Sequence, residues 1–388
     1  MDLFQNILAL TFWISAAGIL YAYLGYPMVI YVLSRLFGKT PLAGTVGDDP
    51  LPRVGLLIAA HNEAAVIDQR IQNALALEYP PDRLEVVIAS DGSDDATCEI
   101  CRNYAGKVRL FDFPQRRGKA ATLNAAVAQI DADIIVCSDA NTLMDAAALR
   151  HLSRWFADEN VGAVCGRLVL TDPQTGRNAD SLYWQYETFL KTCEGRLGGL
   201  LGANGAIYAI RRNLFIPLPP ETLVDDFVAP LLAKMQSGCR IVYDPQATAC
   251  EESAPDLAGE YHRRARIGTG GFQALGILWP LLAPTHGWTA FTFWSHKVLR
   301  WCCPFFMLAT LLASALLAMH PLYRGMLFVQ ILFYALCGLG AIKGATRLLR
   351  LCTMFAGMNL ALLMGFIRWA GHNQTGIWAR THRRSSAA

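Results

Sequence analysis

The chain of 388 residues carries 34 Lys and Arg against 31 Asp and Glu; it is 53% hydrophobic and only 17% charged. A net charge of +3 is too small to argue for a nucleic-acid-binding protein, and the apolar fraction is too high for an ordinary soluble domain. One polar domain combined with membrane segments accounts for both figures.

From Ile7 to Leu33 the chain is apolar and rich in Tyr, long enough for one transmembrane helix within residues 1–40. No basic stretch precedes it, and its apolar core is too long for a cleaved signal peptide. Arg35 and Lys39 follow it, so the positive-inside rule places the downstream domain in the cytoplasm. Pro41–Pro52, rich in Gly, Pro and Asp, reads as a linker opening a domain over residues 41–270.

Strands and helices then alternate. Val54–Ala60, Leu84–Ser90, Lys107–Phe111 and Asp133–Cys137 read as buried strands. Glu63–Leu75, Asp94–Tyr104 and Lys119–Ile130 read as the helices between them. Near-continuous apolar strands separated by helices indicate an α/β fold with a mostly parallel sheet covered on both faces. Val161–Leu170 reads as a further strand and Asp180–Thr192 as a helix, followed by the Gly-rich Gly198–Gly205.

After Arg266 the composition turns apolar again. Gly271–Leu282 and Phe293–Arg300 suit interfacial helices within residues 271–300. Trp301–Met319, Met326–Ile342 and Leu348–Trp369 are each long enough to span a bilayer within residues 301–372. The basic tail, 373–388, carries Arg380, Arg383 and Arg384, which prefer the cytoplasmic side. Three spans would leave it outside, so either the tail breaks the rule or Leu348–Trp369 does not cross. The eleven Cys follow no disulfide framework, which fits a reducing compartment, and Cys98-x-x-Cys101 reads as two buried thiols on a helix.

Four polar clusters fall at or just after the predicted strand ends: His61-Asn62-Glu63, Asp91-Gly92-Ser93-Asp94-Asp95, Arg116-Arg117-Gly118-Lys119 and Ser138-Asp139-Ala140-Asn141. In an open α/β sheet these lie on the rim where nucleotides bind. Asp139 and Asn141 are two apart, so on an extended segment both reach the same ion or diphosphate. Each cluster also has a plainer use: Asn62, Ser93 and Asp94 as helix caps, Asp91-Gly92 and Asp139-x-Asn141 as turns, Lys119 as a solvated helix residue.

The ordered series, continued by Gly202-Ala203-Asn204-Gly205-Ala206, Val224-Asp225-Asp226 and Arg263-Arg264-Ala265-Arg266, resembles the inverting family-2 glycosyltransferases of GT-A fold. Within that family the flanking membrane helices resemble those of polysaccharide synthases, including the cellulose-synthase-like and hyaluronan-synthase-like enzymes. The resemblance implies a Rossmann-like GT-A domain between an N-terminal transmembrane helix and C-terminal interfacial and transmembrane helices. It implies a donor site of His61, Asn62, Glu63, Asp91, Lys119, Asp139 and Asn141, binding a nucleotide-sugar, UDP-linked by expectation. Asp139 takes the first position of the family's Asp-x-Asp motif and would hold Mg²⁺ or Mn²⁺. Asn141 takes the second, and its amide oxygen is a weaker ligand for a hard cation than a carboxylate.

Asp226 takes the position of the catalytic base, with Asp225 as its neighbouring carboxylate; helix-start acids are the plainer reading of this pair. Arg263 and Arg266, three apart, would stabilise a leaving diphosphate or lie on anionic lipid headgroups. Ile267 stands where the processive synthases carry Trp. Glu251-Glu252 would belong to the same cleft. The implied partners are a nucleotide-sugar, a lipid-linked or polysaccharide acceptor and membrane lipids. A dinucleotide-dependent oxidoreductase is disfavoured because no Gly-x-Gly-x-x-Gly turn follows the first strand; a non-catalytic nucleotide-sugar-binding subunit remains the competing reading.

Overall fold

The computed structural model describes residues 2–39, 43–44, 51–171, 182–252, 257–340 and 346–372. Part of the predicted linker, the start of the predicted helix at Asp180 and the basic tail lie outside these residues. The chain divides into two compact units. One gathers Leu33–Asp256 with Gln273–Phe291, and the other Met1–Val32, Leu257–Phe272 and Thr292–Asn373.

In chain order the helices are α1 (Leu3–Leu20), α2 (Tyr26–Phe37), α3 (Ile67–Leu75), α4 (Thr97–Arg102), α5 (Lys119–Val127), α6 (Ala148–Ser153), α7 (Leu182–Leu197), α8 (Asp225–Ser237), α9 (Leu257–Leu278), α10 (Trp288–Thr292), α11 (Leu299–Leu316), α12 (Pro321–Leu339) and α13 (Arg347–Ala370). The strands are β1 (Val54–Ala60), β2 (Leu84–Asp91), β3 (Arg109–Phe113), β4 (Ile134–Asp139), β5 (Leu143–Met144), β6 (Val161–Thr171), β7 (Tyr208–Arg211) and β8 (Arg240–Glu252).

The first unit is built on an eight-stranded sheet in the order β3-β2-β1-β4-β7-β6-β8-β5. Its first four strands are parallel, as the apolar runs predict. The other half is mixed: β7 runs antiparallel to both β4 and β6, β6 is parallel to β8, and β5 is antiparallel to β8. All seven residues of β1 are buried. Fully burying an Ile or Leu here contributes about 1.5–3 kcal/mol, which is why these runs read so clearly.

The chain order around β1 places the site. It turns outward from β1 to β2 and β3, then returns to lay β4 on the other side of β1. Loops leaving β1 and β4 diverge at that reversal and open a crevice at the strands' carboxyl ends. Register keeps those ends nearly level: Ala59 pairs with Asp139, Ala60 with Ser90, and Asp91 with Phe113.

The second unit is helical. A π turn at Tyr21–Gly25 joins α1 to α2, and another at Phe293–Val298 joins α10 to α11, so Phe293–Arg300 continues into the following helix rather than forming a separate one. Likewise α9 runs through residue 270, where the sequence suggested a domain boundary. Among the described residues, four helices are long and apolar enough to cross a membrane: Leu3–Phe37, Trp288–Leu316, Pro321–Leu339 and Leu349–Ala370. Their outward faces carry exposed Ile7, Leu10, Leu312, Leu316, Phe328 and Val329, as lipid-facing helices do.

Small residues let these helices approach closely. A Cβ at Gly18 would lie 2.8 Å from the Phe306 ring, and one at Gly365 would lie 2.7 Å from the Thr269 backbone nitrogen. Polar side chains add ties between helices, with Tyr21 Oη 3.0 Å from Ser295 Oγ and Asn359 Nδ2 donating to Tyr23 Oη at 3.1 Å.

Candidate active site

The loops after β1 and β2 are bound to each other. Asn62 adopts a left-handed backbone, φ 56°, which Asn tolerates better than most residues. Its amide donates to Asp94 Oδ1 at 2.6 Å, and the Asp94 N–H donates back to Asn62 Oδ1 at 2.9 Å. The Glu63 N–H donates to Thr97 Oγ1 at 2.8 Å and the Ala64 N–H to Asp95 Oδ2 at 3.1 Å. His61 is buried and donates from Nδ1 to the Asp91 carbonyl at 2.7 Å, which fixes its tautomer. These residues therefore shape the rim through contacts with one another.

Asp91 is fully buried, and its carboxylate is already engaged. It accepts from the Arg117 N–H (2.7 Å), the Gly118 N–H (3.0 Å) and Thr122 Oγ1 (3.0 Å). This anchors the loop ahead of α5. Gly118 makes the turn with φ 90°, a conformation that Gly adopts without a Cβ penalty, and delivers Lys119 as the first residue of α5.

Lys119 is the hub. Its Nζ lies 2.8 Å from Asp139 Oδ1, at the end of β4, and 3.2 Å from Asp225 Oδ1, at the start of α8. Burial works against its charge, yet the carboxylates of Asp139 and Asp225 outweigh it and hold the ammonium's pKa above the ordinary lysine value. Asp225 has the opposite problem. Burial raises its pKa to about 6, Lys119 pulls it down, and Asp226 and Asp139 push it up again. Its second oxygen, Oδ2, is buried without a hydrogen-bond partner among the described residues.

Asp226 faces differently from its neighbour. Its Oδ2 accepts the Gly205 N–H at 2.8 Å, and its carbonyl accepts the Ala203 N–H at 2.8 Å. The loop making these bonds is itself held by Asn204, which donates to the Gly166 carbonyl at 2.7 Å and accepts from Lys191. A Cβ placed on Gly205 would lie 3.4 Å from Asp226 Oδ2 and 3.6 Å from Asp139 Oδ2, so the two carboxylates converge on one small space.

The turn after β4 is fastened at both ends. Asn141 Nδ2 donates to Glu251 Oε1 at 2.9 Å, and Asn73 exchanges two 2.9 Å hydrogen bonds with the Met144 backbone. A cavity of about 170 Å³ lies beside Asn141, lined also by Gln69, Thr171, Glu251 and Glu252. Glu251 and Glu252 thus line the same cavity as Asn141.

Among the described residues, no group of three or more His, Cys, Asp or Glu is arranged to hold a metal ion. The donor set at the β4 end is one carboxylate, Asp139, and the amide oxygen of Asn141, whose nitrogen is committed to Glu251. Such a set suits a divalent cation carried largely by phosphate oxygens rather than one caged by protein.

Asp91, Lys119, Asp139, Asp225 and Asp226 come from four separate stretches of chain and meet within the sheet unit. Arg263 and Arg266 lie on α9, in the helical unit. Sequence reasoning missed Arg70, which is wholly buried behind the end of β4. The signal was present: Ile67, Arg70, Ile71 and Ala74 form the buried stripe of α3, and a charge in such a stripe needs a reason.

The model of the glycosyl transferase family 2 matches residues 56–216. Over those residues the chain is similar to the family-2 glycosyltransferases. The domain starts within β1 and includes the Lys119 and Asp139 clusters, while Asp225 and Asp226 follow it. The chain is 28% identical over 241 residues to a poly-β-1,6-N-acetyl-D-glucosamine synthase of Staphylococcus aureus, covering 58% of this chain and 56% of that protein. It is 26% identical over 296 residues to a β-monoglucosyldiacylglycerol synthase of Synechocystis, covering 72% of this chain and 61% of that one. The chain therefore spans less than two thirds of the length of each relative. Among solved structures, a mannosyltransferase from Pyrobaculum calidifontis in complex with GDP-Man and Mn²⁺ superposes with a TM-score of 0.70 at 21% identity. That alignment covers 94% of this chain and all of the other, and it establishes the GT-A fold.

Proposed function

We propose that the chain transfers a sugar from a nucleotide donor, UDP-linked, to a membrane-associated acceptor with inversion at the anomeric carbon. The observation that carries this reading is the convergence of Asp139 and Asp226 on one small space over Gly205, each carboxylate within 3.6 Å of the position a Cβ would take there, with Lys119 bridging Asp139 to Asp225. Donor phosphates belong on the Asp139 side, at the strand ends where such ligands bind. His61, Asn62, Glu63 and Asp91 form the rim proposed to receive the nucleoside. Asp139 and Asn141 would hold Mg²⁺ or Mn²⁺ together with the donor's diphosphate, and that cation would offset the charge developing on the leaving group.

Asp226 is the proposed base. Inverting transfer needs a carboxylate within hydrogen-bond reach of the acceptor hydroxyl, to take its proton as the oxygen attacks the anomeric carbon. The Gly205 N–H orients that carboxylate, leaving its other oxygen for the hydroxyl. Lys119 holds Asp139 and Asp225 in register while remaining charged. From motif order alone, Arg263 and Arg266 are assigned to the leaving diphosphate.

The acceptor is proposed to be lipid-linked. The match to the glycolipid synthase extends over 296 residues, against 241 for the polysaccharide synthase. A polysaccharide acceptor is the second reading, supported by the latter relative. The sheet domain is assigned to the cytoplasm, from Arg35 and Lys39 after the first helix.

The test is UDP release from the purified chain in lipid, with a panel of UDP-sugars and Mg²⁺ or Mn²⁺, for wild type and Asp226→Asn. Release with one sugar that falls at least 100-fold in the variant, with UDP binding retained, supports the assignment. Equal release from both proteins removes Asp226 from the chemistry.

A further inference from the structure

Arg70 lies at the second position of the buried face of α3, among Ile67, Ile71 and Ala74, and its exposure is 0%. A charged group that deep is costly unless hydrogen-bonded and compensated. Its partners are neutral. Nη1 donates to Asn73 Oδ1 at 3.0 Å and Nη2 to Ser138 Oγ at 3.2 Å, while Nε has no partner among the described residues. The carboxylate whose charge acts on it is Asp139, next in the chain after Ser138. Burial lowers its pKa to about 10, which leaves it charged at neutral pH.

An apolar residue would fill this place in the stripe at less cost, so the contacts of the guanidinium are informative. Ser138 receives the Arg70 hydrogen bond and passes one on, donating to the Ala206 carbonyl at 2.8 Å. The preceding residue, Gly205, donates its N–H to Asp226. An unbroken chain thus runs from α3 through the end of β4 to the loop that orients Asp226. The other arm of Arg70 reaches Asn73, whose amide grips the Met144 backbone on the far side of the Asp139–Met144 turn.

We propose that Arg70 is a positioning residue for the transfer reaction: through Ser138, Ala206 and Gly205 it sets the spacing between Asp139 on the donor side and Asp226 on the acceptor side. It touches neither substrate. The inference rests on the reading of Asp226 as the base and adds a residue outside the clusters singled out in the sequence. Because the guanidinium is buried and planar, it locks the serine hydroxyl in one orientation, which a flexible ammonium does less well. Pre-organisation of this kind acts on the rate of transfer more than on donor affinity.

The test uses the full chain in lipid, with calorimetric titration of UDP in Mn²⁺, UDP release from the UDP-sugar that wild type turns over, and thermal melting. Arg70→Met, close in length and apolar, is expected to keep UDP stoichiometry and affinity within about threefold while kcat falls about 30-fold or more. Arg70→Lys should recover part of that loss. Ser138→Ala should lower kcat about tenfold, and the double variant Arg70→Met/Ser138→Ala should be no slower than Arg70→Met, since both cut one chain. A merely structural role would lower UDP stoichiometry and melting temperature together, leaving kcat per bound UDP unchanged.

Wild-type kcat in Arg70→Met, or losses that multiply in the double variant, overturns the proposal. If Arg70→Met does not fold, Ser138→Ala decides, since it cuts the relay while leaving the buried charge in place; unchanged kcat there also overturns it. A wild-type protein that binds no UDP would instead overturn the proposed UDP-linked transfer, whereas failure of the present inference shows only in the variants of an active wild type.

Discussion

Lys119 Nζ lies 2.8 Å from Asp139 Oδ1 and joins the first turn of α5 to the last residue of β4. Removing it leaves Asp139 and the buried Asp225 without their shared cation. Lys119→Ala is therefore expected to lower unfolding stability by about 3 kcal/mol and to abolish UDP binding. Urea denaturation and calorimetry check the two effects; wild-type UDP affinity in a folded variant would remove Lys119 from the donor site.

Asp139→Ala should act on binding with a smaller effect on folding, because Lys119 retains Asp225 as a partner. We expect UDP affinity in Mn²⁺ to fall at least 30-fold and turnover to fall with it. Near-normal release of UDP from the variant would move the nucleotide site away from the end of β4.

Asp225 links stability to pH. Burial raises its pKa in the folded chain to about 6, above the value of roughly 4 for an unfolded Asp. Between those values the folded state binds more protons, so the contribution is complete below about pH 4 and is lost as pH rises through 6. Asp225→Asn cannot ionise and should not show this loss. Between pH 4.5 and 7.5 wild type should lose on the order of 2 kcal/mol relative to the variant, measured by denaturant unfolding at each pH. Parallel curves would show that Asp225 titrates at an ordinary value.

Two glycines in one loop should behave differently. At Gly205 a Cβ would make ordinary contacts with the Asp226 and Asp139 carboxylates, so Gly205→Ala should fold with little change in melting temperature. It would narrow the gap between those carboxylates, and UDP release is expected to fall at least tenfold. Gly202 has φ 73° and a Cβ there would come 2.9 Å from Phe227 Cα, so Gly202→Ala should cost about 2 kcal/mol or more through backbone strain and contact. Similar melting curves for the two variants would contradict this division.

The polar rim was legible because each of its strands is a short apolar run followed by polar residues. His61, Asp91, Lys119 and Asp139 all stand where such runs stop. What those side chains do was less legible. The Asp91 carboxylate also anchors the loop ahead of α5, accepting from the Arg117 and Gly118 N–H groups and Thr122. Those donors lie 26 to 31 residues away in the chain, and no local pattern announces them.

By itself the sequence determined the alternation of elements, the parallel half of the sheet and the apolar helices, because periodic burial and uninterrupted hydrophobic length are local properties. Tertiary structure alone decided the directions of β6, β7 and β8, which depend on pairing between distant segments. It also separated the adjacent acids, turning Asp225 toward Lys119 and Asp226 toward Gly205. And it placed Arg70 beneath Asp139, where a buried cation matters through the charge and hydrogen bonds that folding brings to it.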